Sequence, residues 1–150
     1  MTLLGSVRIR DEVILVARIL LVVIFVVFGW NKLTNYTGTV GYMALMDAPM
    51  PYVVALMAIV VEIFVTLAIA LGAWTRPLAL LLALYTLGTA LIGHHFWTTE
   101  SMDRYVNAVN FYKNLSIVGG LLLLYVTGAG KYSIDGLWIE LTYRRKPLNL

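Results

Sequence analysis

The chain has 150 residues, 61% of them hydrophobic and 13% charged, with a mean hydropathy of +0.85. A soluble domain of this length cannot hide that much apolar surface, and ordinary globular chains carry about a quarter charged residues, so a water-soluble fold is excluded. The formal charge is +3 and cysteine is absent, which removes disulfides, thiolate metal sites, iron–sulfur clusters and dithiol redox pairs; the basic balance fits membrane flanks rather than nucleic-acid binding.

Arg8 and Arg10 precede the first apolar run, as in a signal peptide, but the run is too long and no small-residue cleavage motif follows it. It is expected to be an uncleaved span from Val13 to Leu33. Three further segments, Tyr52 to Gly72, Pro77 to Trp97 and Phe111 to Gly128, meet the requirement of roughly 20 apolar residues for a helix crossing a bilayer. Unpaired backbone groups are not tolerated in hydrocarbon, so each span is helical. The prediction is an all-α, antiparallel bundle of four transmembrane helices forming a single membrane domain.

The breaks between spans are marked by Asp47-Ala48-Pro49-Met50-Pro51, by Thr75-Arg76-Pro77 and by the polar stretch from Thr98 to Asn110. Proline in a first helical turn is a start signal. The second and third spans are joined by a tight hairpin, while the other two loops have room for a short helix or a cover over the bundle mouth. Asn35-Tyr36-Thr37 has the form of a glycosylation sequon, a pattern that chance commonly produces. The similar endings Gly72-Ala73-Trp74-Thr75-Arg76 and Gly128-Ala129-Gly130-Lys131-Tyr132 hint at a duplication. Residues 131–145, with Leu137, Trp138, Ile139, Leu141 and Tyr143 ahead of Arg144, Arg145 and Lys146, suit a short helix at the cytoplasmic interface.

Basic residues near the membrane set orientation. Arg8, Arg10, Arg76, Lys131, Arg144, Arg145 and Lys146 lie on one side and Lys32, Arg104 and Lys113 on the other, seven against three, with Arg18 inside the first span. Both termini of a multi-pass membrane protein are therefore expected in the cytoplasm.

Ionisable side chains near the bilayer centre cost about 3 kcal/mol even on lenient scales. Glu62 sits near the middle of its span beside Val61 and Ile63 and must face the bundle interior, protonated or paired. Depth counted at about 1.5 Å per residue makes Arg18 its expected partner in a buried charge pair, with a structural, proton-handling or substrate role. Arg18, Gly29 and Lys32 share one stripe of the first helix, which is expected to face protein.

A second polar set, Asn31, Lys32, His94, His95, Lys113 and Asn114, gathers at the outer ends of three spans. Lys32 with His94, on helices carrying Gly29 and Gly93 and roofed by Phe96 and Trp97, suits a quinone head group or a small anion; a hydrated, snorkelling lysine is the plainer reading of Lys113. Consecutive histidines on a helix point about 100° apart, and the chain has 2 histidines in all, so no metal site and no haem are expected. Tyr85, Thr86 and Thr89 read as hydroxyls bonding backbone or a neighbouring helix.

The pieces Ala17-Arg18-Ile19, Phe28-Gly29-Trp30-Asn31-Lys32-Leu33, Glu62, Gly72 with Thr75-Arg76, His94-His95-Phe96-Trp97, Phe111-Tyr112-Lys113-Asn114-Leu115, Gly119-Gly120 and the run from Gly128 to Asp135 follow in an order that resembles the DoxX family of small bacterial membrane proteins, especially its inner-membrane subgroup. The resemblance implies company with quinol oxidation, thiosulfate-to-quinone electron transfer and oxidative-stress complexes; similar four-helix proteins act in cofactor maturation or cargo export. Some distantly similar membrane enzymes couple cysteine pairs to quinones, a route closed to this cysteine-free chain. His95 looks like a local variation.

The resulting expectation is an accessory component of a quinone- or thiol-linked redox system, not an enzyme on its own, with a periplasm-facing pocket. Its ligand would be a quinone or quinol, not covalently held. Its partners would be the lipid bilayer, a redox enzyme and, given the small volume that four helices enclose, a second copy in a homodimer. The alternatives are a structural or assembly protein and a small proton-linked transporter.

Overall fold

Apolar runs that cannot leave backbone groups unpaired in lipid must close every hydrogen bond within themselves, and the computed structural model is helical accordingly. It describes residues 3–144, with side chains described for residues 11–142. The helices are α1 (Leu3–Thr34), α2 (Tyr36–Leu45), α3 (Pro51–Leu71), α4 (Thr75–Gly93), α5 (Ser101–Thr127) and α6 (Ile134–Arg144), with a 3₁₀ turn at Phe96–Thr98. Four segments are long and apolar enough to cross a membrane: Asp11–Thr34, Pro51–Leu71, Thr75–Thr98 and Ser101–Thr127. Among the described residues there is no strand.

The packing is antiparallel throughout. On α1, Gly29 lies against Glu62 of α3, and eleven residues earlier Arg18 lies against Gly72, about 16 Å along one axis against about 15 Å along the other. On α4 and α5, His94 meets Asn107 at one end and Arg76 meets Gly128 at the other. Both described chain ends therefore lie at one end of the bundle, the termini end, with α2 and the 3₁₀ turn at the far end.

The core is small: Val22, Phe25, Ile69, Ala79, Leu82, Ala83, Leu121 and Leu124. Large apolar residues such as Leu20, Phe64, Leu84 and Leu123 are exposed, as lipid-facing positions should be, since tails are as apolar as leucine and helix association rests on close packing and polar contacts instead.

Three boundaries differ from the sequence reading. The fourth span begins at Ser101, not Phe111, because Asp103, Asn107 and Asn110 occupy a helix whose polar residues point inward or sit near its end. The third helix stops at Gly93, so His94 is a capping residue outside it. The first helix runs back to Leu3. The interfacial segment is α6, whose exposed Leu137, Trp138 and Leu141 share one face; Arg145 and Lys146 lie outside the described residues.

Candidate functional site

The deepest polar centre is built on an irregularity. α3 is α-helical to Val60, π-helical over Val61–Val65 and α-helical again from Thr66; such single π-turns inside α-helices are frequent at functional sites. The carbonyls this loosens are taken by Thr66 Oγ1, which donates to Glu62 O at 2.5 Å and to Ile63 O at 3.1 Å. A Cβ on Gly29 would come within 2.9 Å of both Glu62 Cβ and Ile63 Cγ1. Glycine is what lets α1 lie on the turn.

Glu62 is 6% exposed, and both its oxygens are engaged. Lys32 Nζ donates to Oε2 at 2.6 Å, and Tyr85 OH donates to Oε1 at 2.6 Å. Charge-assisted bonds of this length are the strong ones, so one carboxylate joins α1, α3 and α4. The Lys32 side chain is 23% exposed against 9% for Glu62, which makes the ammonium the accessible edge of the centre; the Phe28 ring lies 5.8 Å from Nζ. A carboxylate, an ammonium and a phenol make a hydrogen-bonding and proton-handling set.

Arg18 is not Glu62's partner, contrary to the depth count. Because Gly29 is the point where α1 meets Glu62, Arg18 falls opposite Gly72, about three turns nearer the termini end. There, 1% exposed, it donates to Ala129 O at 2.6 Å and Tyr132 O at 2.8 Å, closing carbonyls left open after α5. Around it Asp135 accepts from the N–H groups of Trp74 and Thr75 at 2.8 and 2.9 Å, capping α4, and Asp135 N donates to Gly72 O at 2.9 Å. Ser133 Oγ accepts from Gly136 N at 2.9 Å and caps α6. Gly72, with φ +73°, has no room for a Cβ beside Ser133 and Arg18. This end is an architectural lock.

The far end does not assemble as expected. Lys32 turns down to Glu62 while His94 Nδ1 faces Asn107 Oδ1 at 3.4 Å, so Lys32 and His94 have separate partners. Gly93 makes no close helix contact, since a Cβ there meets nothing within 4 Å. Phe96 and Trp97 do not roof a pocket. They pack edge-on against Phe111, with centroids 5.5 and 5.9 Å away. Lys113 is exposed and donates to Asn110 Oδ1 at 2.8 Å, Asn31 is exposed, Asn114 is half-buried, and His95 Nδ1 lies 3.0 Å from Ile92 O.

Sequence reasoning underrated Tyr85 and missed Thr66 and the capping role of Asp135. Tyr85 had a signal: it lies ten residues into α4 from the termini end, and Glu62 lies nine residues from that end of α3, so antiparallel helices bring them level. The π-turn left no mark in the sequence.

A model of the DoxX family matches residues 13–95, a stretch that contains Arg18, Lys32, Glu62, Tyr85 and His94. The chain is 48% identical to inner membrane protein YphA of Escherichia coli (strain K12) over 84% of this chain and 90% of the relative. It is 43% identical to inner membrane protein YqjF of the same organism, over 87% and 95%. A more distant likeness, 28% over 84% of this chain but 34% of the other, is to the ER-derived vesicles protein ERV29 of Saccharomyces cerevisiae (strain ATCC 204508 / S288c). No solved structure matches.

Proposed function

The chain belongs to the DoxX family, and from that premise we propose that it is an accessory membrane component of a quinone- or thiol-linked redox system. Its four spans and its likeness to two inner membrane proteins make it an integral, multi-pass inner-membrane protein. The observation that carries the redox reading is the Lys32, Glu62 and Tyr85 centre, a donor–acceptor set deep in the bilayer where isoprenoid quinones reside.

A quinone carbonyl accepts hydrogen bonds from groups such as Lys32 Nζ and Tyr85 OH, and its two-electron reduction takes up two protons. In such a complex Glu62 accepts a hydrogen bond from the resulting hydroxyl or, once itself protonated, passes its proton to a reduced quinone oxygen. With no cysteine in the chain, the electrons come from a partner redox enzyme, and this chain contributes binding and protonation. Lys32, the more open member, is the point of entry, and His94 stands apart from the site.

Titration of a short-chain ubiquinone against the purified protein in nanodiscs tests this. Saturable binding is expected, weakened about tenfold, equivalent to about 1.4 kcal/mol, in Lys32→Met and Glu62→Gln and unchanged in His94→Ala. Absence of binding, or equal affinity in all four proteins, overturns it. A purely architectural role is favoured by one observation, that both Glu62 oxygens already have protein donors; under it Glu62→Gln lowers stability and no quinone binds.

A further inference from the structure

Above Glu62 the bundle divides into two halves. α1, α2 and the first part of α3 pack on one another around Val40, Ala55, Ala58 and Ile59, and α4 packs along α5 up to His94 and Asn107. Packing between the halves, by contrast, runs through the second part of α3 and the apolar core. Among the described residues, the bond from Tyr85 to Glu62 is the last hydrogen bond joining the halves before the far end.

The wall of this wedge on the α4 and α5 side is polar. On α5, Asn107, Asn110 and Asn114 continue the face that carries Leu121 and Leu124 in the core, since positions three, four and seven apart share a helix face. The same stripe that is apolar where the halves touch becomes three amides where they part. The Asn114 amide, half-buried, has no hydrogen-bond partner among the described residues. On α4, Thr89 and Gly93 occupy the facing side, and a Cβ on Gly93 meets nothing within 4 Å. Lipid tails cannot satisfy amides, and an unpaired polar group in hydrocarbon costs several kcal/mol. Water satisfies them, and a space with several polar partners is where it is held.

We infer that the wedge is an aqueous vestibule, open only at the far end, that admits water and small hydrophilic solutes down to the Glu62 and Tyr85 pair. The core and the Arg18 lock seal the other side. A proton exchanged at Glu62 then travels to and from the far surface, whatever ligand reaches Lys32 from the lipid.

The cysteine-free chain makes this directly testable, because a thiol reacts as its thiolate and a thiolate forms only where water reaches. Single variants Asn114→Cys and Thr89→Cys report on the vestibule from two helices. Ser116→Cys reports on the exposed opposite face of α5 at the same depth, and Thr99→Cys and Lys131→Cys mark the two membrane surfaces. With a membrane-impermeant methanethiosulfonate applied to either side of sealed vesicles, Asn114→Cys and Thr89→Cys are expected to label from the Thr99→Cys side only, at least about tenfold faster than Ser116→Cys. Labelling as slow as Ser116→Cys in both variants, or labelling from the Lys131→Cys side, overturns the inference. No quinone is present, so the redox reading stands or falls separately.

Discussion

At the scale of single residues the central fact is that Glu62 is tied to Lys32 and Tyr85. A buried ion pair is not by itself a source of stability, because desolvation offsets attraction, but removing one partner strands the other. Lys32→Met is therefore expected to destabilise the protein by about 3 kcal/mol, while replacing all three members, Lys32→Met with Glu62→Met and Tyr85→Phe, leaves no stranded group and stays within about 1 kcal/mol of the parent, as followed by thermal unfolding in detergent micelles. Losses that simply add would show that the three side chains act independently. The need for an inward partner for Glu62 was legible from its place near the middle of its span beside Val61 and Ile63. The identity of that partner was not, because Arg18 and Lys32 share one stripe of α1 and only the stagger between helices, set by Gly29, decides which of them arrives.

Elements show the same division. The four spans were plain in the sequence because hydrocarbon imposes length and apolarity together, and the hairpin from Gly72 to Thr75 was plain because it is short. The start of α5 was hidden: Asp103, Asn107 and Asn110 read as loop residues, yet they belong to a helix that keeps its amides on the interior side. Equally hidden was the π-turn, which depends on how α1 and α3 meet. Gly29→Ala tests that meeting. The added methyl faces Glu62 Cβ and Ile63 Cγ1 at 2.9 Å, with Glu62 backbone behind at 3.1 Å, so α1 must shift, at a cost of about 1–3 kcal/mol. Gly41→Ala, in α2, meets nothing within 4 Å and is expected to leave the melting temperature unchanged. Equal effects of the two substitutions would mean that close approach at Glu62 does not fix the helix pair.

For the whole molecule, the structure sharpens the argument about direction. Arg18 is enclosed by backbone carbonyls and is no flanking charge. Lys32 is ion-paired with Glu62, so it ceases to count on the far side, and among the described residues Arg8, Arg10, Arg76, Lys131 and Arg144 at the termini end stand against Arg104 and Lys113 at the other. Under the positive-inside rule both termini are expected in the cytoplasm and the mouth of the proposed vestibule in the periplasm. A C-terminal green fluorescent protein fusion is expected to fluoresce and a C-terminal alkaline phosphatase fusion to be inactive, with the phosphatase becoming active when inserted after Thr99 in the far-end loop. The reverse pattern would turn the bundle over, and Glu62 would then exchange its protons with the cytoplasm.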